Sequence, residues 1–319
     1  MPRFKIRHIT RFTYHEPVRD SANQIMLYPI RDEYQETIHH SISISGNPSV
    51  STFTDHYGNE VGTFSHPFPH SELVIDSNLI IHTRAHNYPE DTSPPAQQWQ
   101  ALERLKNEIE FIDFLKSEPF RYHSELQKLI DEQQCRDCTP LMVVKHFNDY
   151  IYTNFKYQKG ITTVETTLDE IWKLKSGVCQ DFAHMLLYIL RTVGIPARYV
   201  SGYICPRSGD MRGEGATHAW VEAYIPFVGW LGVDPTNDRI VDDAHVRLAV
   251  GKNFNDCSPV RGTYRGTSGH TLDVTVSVHY DDGSVRKDSS ALEEAPSEPT
   301  KSFSRNSFRR FQEMQIQQQ

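Results

Sequence analysis

Two short stretches carry residue types that could do chemistry together. In SGVCQDFAHMLLYILRTVGIPAR (176–198) a single cysteine, Cys179, heads a long apolar run, and in ATHAWVEAYIPFVGWLGVDPTND (216–238) a histidine and an aspartate stand sixteen residues apart. A helix starting near Val178 places the Cys179 thiol in its first turn, where unpaired backbone N–H groups and the helix dipole favour negative charge. The thiolate is the nucleophilic form, and the Cys179 N–H there is positioned to stabilise an oxyanion on an attacked carbonyl. A lone cysteine in a helix is most simply a small buried hydrophobe, so this reading needs a base. His218 opens one strand-like run and Asp234 closes the next, with Pro226 to Gly229 between them as a turn. In an antiparallel hairpin both fall at the same open end, where Asp234 can hold one ring nitrogen while the other faces the thiol. Taken singly, His218 reads as a polar strand residue and Asp234 as an Asp-Pro turn starter. Taken with Cys179, a nucleophile, base and orienting carboxylate explain all three placements at once.

Neighbouring polar residues are weaker candidates. Asp181 and Gln180 share the first turn with Cys179, where an acid suits the dipole and either could border a substrate groove. His184 lies five residues on and so points about 140° away around the helix, which favours a packing role. Trp220 and Glu222 share the His218 face of their strand; Trp220 reads as a packed aromatic that could wall the thiol. A second oxyanion donor is expected, with Tyr157 and Gln158 as candidates upstream of the nucleophile. Cys135 and Cys138 form a CxxC pair, but a tetrahedral zinc site needs two more ligands, and neither Cys205 nor Cys257 provides a second pair. The histidines His39, His40, His66, His70 and His82 lack metal-ligand spacing, and no acid-rich calcium loop is evident. No cofactor or metal is expected.

The elements that must position these groups fall into two styles. Up to about residue 85 the pattern is β: ETIHHSISIS places Ile38, Ile42 and Ile44 on one face, Gly58-Asn59 offers a turn, and ELVIDSNLIIHT continues the alternation. HNYPEDTSPPAQQ (86–98) punctuates the chain. After it Leu102, Leu105, Ile109 and Ile112 recur at helical steps. A further helix starts at Thr139-Pro140 as cap and first position, with Val144, Phe147, Ile151 and Phe155 on its apolar face. Thr167 and Glu170 stand at capping-box spacing before a short helix that Gly177 stops. The Cys179 helix then runs to Val193 and ends at Gly194, burying Met185, Leu186, Ile189, Leu190 and Val193. Aromatic and β-branched runs follow as strands, which makes the second part an α+β unit.

Composition limits the classes of function. A net charge of −8 over 319 residues, with acids and bases interspersed, excludes the concentrated basic surface of a nucleic-acid binder. The N-terminus lacks the apolar region of a secretory signal, and no apolar run approaches the roughly 18 residues that span a bilayer, so a cytoplasmic protein without membrane contact is expected. Five scattered cysteines are unlike a disulfide framework, so at least one free thiol is expected.

GVCQDFAH, LRTVGIPARYVSGY, THAWVEAYIPFVGW and DPTND, in this order, resemble the core of the bacterial transglutaminase-like proteins, relatives of animal transglutaminases and more distantly of papain-type proteases. The preceding β region resembles the N-terminal domain that accompanies this core, and HVRLAVGKNFNDCSPVRGTYRG resembles the segment that follows it. The resemblance implies Cys179 as nucleophile, His218 as general base and acid, and Asp234 as orienting residue. It implies an α+β, papain-like core behind an N-terminal β-sandwich. The expected layout is an N-terminal β domain over 1–88, a helical connector over 89–138, the catalytic core over 139–280 and a polar, disordered tail over 281–319. The expected activity is thiol-dependent acyl transfer on protein or peptide amides, as a cysteine protease, amidase or transglutaminase. A non-catalytic peptide-binding scaffold on the same fold is the alternative.

Overall fold

The computed structural model describes residues 2–86, 88, 90–133, 135–205, 211–212, 217–266 and 268–281. The tail expected from residue 281 therefore lies, after Asp281, outside the described residues. From the N-terminus come β1 (Arg3–Ile25), β2 (Gln35–Ile44), β3 (Ser51–Thr54), β4 (Glu60–His66) and β5 (His70–Thr83). Helices α1 (Pro95–Leu105), α2 (Ile109–Leu115), α3 (His123–Glu132) and α4 (Pro140–Asn154) follow. Next are β6 (Lys156–Tyr157), α5 (Leu168–Leu174), β7 (Ser176–Gly177), α6 (Cys179–Val193) and β8 (Ala197–Ile204). The chain continues through β9 (Thr217–Ile225), β10 (Gly229–Asp234), β11 (Arg239–Ile240), β12 (His245–Gly251), α7 (Phe254–Cys257), β13 (Val260–Arg265) and β14 (His270–Tyr280).

These elements form two compact units. Among the described residues the sheet-rich unit comprises Arg3–Ile30, Glu36–His82 and the chain from Ser258 to Asp281. Its organising element is β1, whose first half pairs antiparallel with β5 and β14 and whose end pairs with β4 and β13. Period-two alternation drives this: Phe4 and Ile6 of β1 and Leu73, Ile75, Leu79 and Ile81 of β5 are fully buried on one face. Between β3 and β4 the expected turn forms, with Gly58 at φ +86° and the Asp55 carboxylate accepting the N–H groups of Tyr57 and Asn59 at 2.9 and 2.8 Å.

The division of the chain departs from the sequence expectation at both ends of the core. Residues 258–280 do not finish the core; β13 and β14 return to pair with β1, register by register, from Phe4↔Tyr280 to Tyr14↔His270. Strand pairing depends on backbone hydrogen bonding to a distant partner, which no local pattern encodes. The helices of 95–132, expected as a separate connector, belong to the same unit as the core, Thr83–Cys257.

A second departure concerns the first helices. The apolar series Leu102, Leu105, Ile109, Ile112 does not share one helix. The chain breaks between α1 and α2, the phase resets, and Ile109 is 81 % exposed while Phe111 and Phe114 turn inward against Trp230. Two aromatic rings bury more apolar surface than the two isoleucines would, which decides the rotation of α2.

In the core unit α6 packs across an antiparallel sheet of order β11-β10-β9-β8-β12. Phe182, Met185, Leu186, Ile189 and Leu190 are fully buried, at about 2 kcal/mol each from apolar surface removed from water. The helix closes as expected: Gly194 takes φ +95°, and the N–H groups of Gly194 and Ile195 return to the Leu190 carbonyl at 3.1 and 2.9 Å. In its last turn Arg191 is buried, its guanidinium donating to the carbonyls of Ala197, Lys252 and Lys116 and so tying the helix to the start of β8 and to the chain just after α2 and β12. Thr139 caps α4 and the Thr167–Glu170 box caps α5. Gly177 does not stop α5; Lys175 does, at φ +47°, and Gly177 has another task at the site.

Candidate active site

Each element delivers its side chain by local rules. Cys179 is the first helical residue of α6, and Asp181, two residues on, reaches back to accept the Val178 N–H at 2.8 Å and the Thr162 hydroxyl at 2.7 Å. This buried carboxylate, rather than a cap at Val178, fixes where the helix begins. Gly177 makes room for it, since a Cβ there would collide with the Asp181 carboxylate. Burial pushes the Asp181 carboxyl up, and its two donors oppose that push. Asp181 thus holds the helix start, which answers whether it lines a groove or serves the helix.

The hairpin of β9 and β10 sets the other two groups. Val233 pairs with Val221, so Asp234 falls opposite Trp220, two residues from His218 and on the same face. The His218 Nε2 donates to Asp234 Oδ2 at 2.8 Å, and both side chains are closed to solvent. Asp234 is further held by the Thr236 N–H on Oδ1 at 2.9 Å and by Asn237 Nδ2 on Oδ2 at 2.8 Å. The other ring nitrogen of His218, Nδ1, is buried without a hydrogen-bond partner, and Cys179 acts on the ring. Burial works against charge on this ring, but the Asp234 carboxylate and then the Cys179 sulfur outweigh it and push His218 up to about 10. Asp234 sits well below the usual carboxylate range: burial opposes ionisation, and the histidines beside it prevail.

Residues 127–235 match the transglutaminase-like superfamily, and residues 4–82 match the bacterial transglutaminase-like N-terminal region. An uncharacterized protein of Mycobacterium tuberculosis H37Rv is 32 % identical over 293 residues, covering 86 % of this chain and 92 % of the relative. The chain belongs to the transglutaminase-like superfamily. A Cytophaga hutchinsonii structure described as a candidate cysteine protease shares the fold, with a TM-score of 0.67 at 22 % identity over 89 % of this chain and 92 % of that one. A Pseudomonas aeruginosa protein-glutamine gamma-glutamyltransferase is 40 % identical over 113 residues, which is 31 % of this chain and 16 % of that protein.

Around the transglutaminase-like centre the remaining candidates separate. Tyr157 pairs with Gly177, two residues before Cys179, and its phenol is pushed up by burial, then by Cys179 and Asp234, so that it stays a donor. Gln158 is exposed and gives its N–H to the Gly177 carbonyl. Trp220 is fully buried, its ring 6.1 Å from His218, while Glu222 is consumed by ion pairs with Arg198 at 2.6 Å and Arg247 at 3.1 Å. His184 leaves the site altogether: its Nε2 accepts the Phe254 N–H at 3.1 Å, and burial pushes it down to about 4, matching a neutral acceptor. Cys135 opens a 3-10 turn that ends at Asp137, just before Cys138, and none of the five cysteines is in a disulfide.

Sequence reasoning missed His245. It opens β12, is fully enclosed at its side chain, and brings Nε2 to 3.5 Å from Asp234 Oδ2. The signal was present, a histidine opening a strand as His218 does, but nothing local ties it to Asp234. The ligand atoms of His218, Asp234 and His245 lie within 4.8 Å of one another. They could surround a cation only by giving up the 2.8 Å hydrogen bond that already joins His218 to Asp234.

Proposed function

We propose that this chain is a cysteine enzyme of acyl transfer acting on protein or peptide carboxamides. Cys179 is the nucleophile, His218 the general base and acid, and Asp234 the orienting carboxylate. The observation that carries the reading is the His218 ring itself: Nε2 is fixed by Asp234, while Nδ1 is buried, unpartnered and under the influence of the Cys179 sulfur. The proton shared between sulfur and ring rests on Nδ1, as the raised His218 requires, and sulfur attacks the carbonyl carbon. The resulting oxyanion is met by the Cys179 N–H at the start of α6, with the Tyr157 hydroxyl as second donor. His218 then returns the proton to the departing amine as the C–N bond breaks, leaving an acyl-thioester. Water completes a protease or amidase cycle; a primary amine completes a transglutaminase cycle.

The glutamyltransferase named above favours glutamine carboxamide as donor, and the choice of acceptor follows from how well the groove excludes water. Mass spectrometry of a glutamine-containing peptide library, incubated with the protein with and without a primary amine, tests this. Amine-conjugated or hydrolysed products that vanish in Cys179→Ala are expected. Unchanged peptides, together with a Cys179 that iodoacetamide labels no faster than Cys138, would leave a peptide-binding scaffold as the better reading.

A further inference from the structure

Behind the His218–Asp234 pair stands a second one. His245 Nδ1 lies 3.1 Å from Asp242 Oδ1 and within 3.3 Å of the Asp242 N–H, while Nε2 lies 3.5 Å from Asp234 Oδ2 and has no hydrogen-bond partner. The ring is wedged edge-on against Trp220 at 5.2 Å, so it cannot turn freely. The two histidines therefore flank one carboxylate, one from β9 and one from β12, the two strands that pair with β8 on either side.

We infer that His245 is a positioning residue for the proposed reaction, its Nε2–H directed at Asp234 Oδ2 and keeping that oxygen aimed at His218. The inference rests on the triad reading above. Electrostatics selects the proton's place. With a proton only on Nδ1, the Nε2 lone pair would face a buried anion, with no water to separate them. With a proton on Nε2 the donor faces the fully buried Asp234, while Nδ1 meets the Asp242 N–H at 3.3 Å and, at 3.1 Å, the Asp242 carboxylate, whose side chain is half exposed and so remains solvated whether or not Nδ1 donates to it. The 3.5 Å separation is long for a hydrogen bond, as catalytic contacts are before substrate tightens them. Asp234 Oδ2 already takes His218 and Asn237 at 2.8 Å each, so a third donor restrains the carboxylate against rotation toward either of the others alone. His245 touches neither the sulfur nor the substrate carbonyl in this scheme; it acts through Asp234.

The test compares His245→Leu, which keeps bulk and loses the donor, with His245→Gln, whose amide N–H can reach the same oxygen. The readout is the iodoacetamide rate at Cys179, which needs no knowledge of the substrate. His245→Leu is expected to slow it about ten- to a hundredfold, as for loss of a buried hydrogen bond to a charge, and His245→Gln to stay within about threefold of wild type. A merely structural histidine would not be rescued by glutamine in this way. Imidazole nitrogen NMR of the wild-type protein, with His245 assigned by its loss in His245→Gln, should show the proton on Nε2. A bare Nε2, a Leu variant as fast as wild type, or a Gln variant as slow as the Leu variant would each overturn the inference. If the Leu variant does not fold, the NMR signal and the Gln rate decide. A wild-type Cys179 no faster than Cys138 would instead sink the triad, and this inference with it, whereas a fast Cys179 indifferent to His245 sinks the inference alone.

Discussion

At the scale of single residues, the His218–Asp234 pair makes two separate claims, one on turnover and one on stability. Replacing Asp234 by Asn keeps the shape but inverts the hydrogen bonding that fixes the ring. Turnover is expected to fall about 10³- to 10⁴-fold, as when a triad carboxylate is lost elsewhere, with the Cys179 thiol still present by titration. A loss below tenfold would remove Asp234 from the mechanism. The stability claim follows from pH linkage. His218 is raised to about 10 in the fold, so its contribution is fully present below its unfolded value of about 6.5 and is lost as pH climbs through 10. Asp234 is depressed, so its contribution is present above about 3.9 and is lost as pH falls below that. The pair therefore stabilises most between about pH 4 and 6.5. Thermal melts of wild type and His218→Gln should differ most in that window, and the gap should narrow steadily toward pH 10. A gap that widens with pH would reverse the assignment of charge.

At the scale of elements, the site depends on where α6 starts and on what holds its far end. Gly177→Ala forces a methyl group against the Asp181 carboxylate, which caps the helix through the Val178 N–H. Cys179 alkylation should slow at least tenfold while the melting temperature falls by only a few degrees, because one cap is worth about 1 kcal/mol. An equal loss of both would mean that the helix start matters only for folding. Arg191→Leu strips the donors from the Ala197, Lys252 and Lys116 carbonyls. A loss of about 3 kcal/mol in urea unfolding is expected from unsatisfied buried groups, with little change in the Cys179 rate per folded molecule. These elements were largely legible in sequence: the Thr139 and Thr167 caps, the Gly194 stop and the helix from 179 to 193 all follow from local chemistry. The phase of α2 was not, because Phe111 and Phe114 meet Trp230, more than a hundred residues away.

At the scale of the whole molecule, the sheet-rich unit is closed by the chain after the core, through β13 and β14 on β1. A chain truncated after Cys257 would leave β1 with an unpaired edge in place of these two ladders. Such an edge invites pairing between molecules. The truncated protein should aggregate, or lose protection of 3–30 to limited proteolysis, while full-length protein resists. A soluble, protease-resistant truncation would mean that the unit stands without its returning strands.

What the sequence determined by itself was the local placing of the residues that could do chemistry: a cysteine at a helix start, a histidine and an aspartate at one end of a hairpin, and the alternation that makes the first unit a sheet. These depend on neighbours within a few turns of chain, where residue type and spacing dictate conformation directly. Tertiary structure alone decided that Asp181 and Gly177 set the start of the Cys179 helix, that His245 stands behind Asp234, and that the last strands belong with the first. The last two are meetings of residues apart in the chain, and Asp181, though Gly177 and Val178 are its near neighbours, is held in its buried place by Thr162 nineteen residues before it; the burial and hydrogen bonding of the finished fold select each.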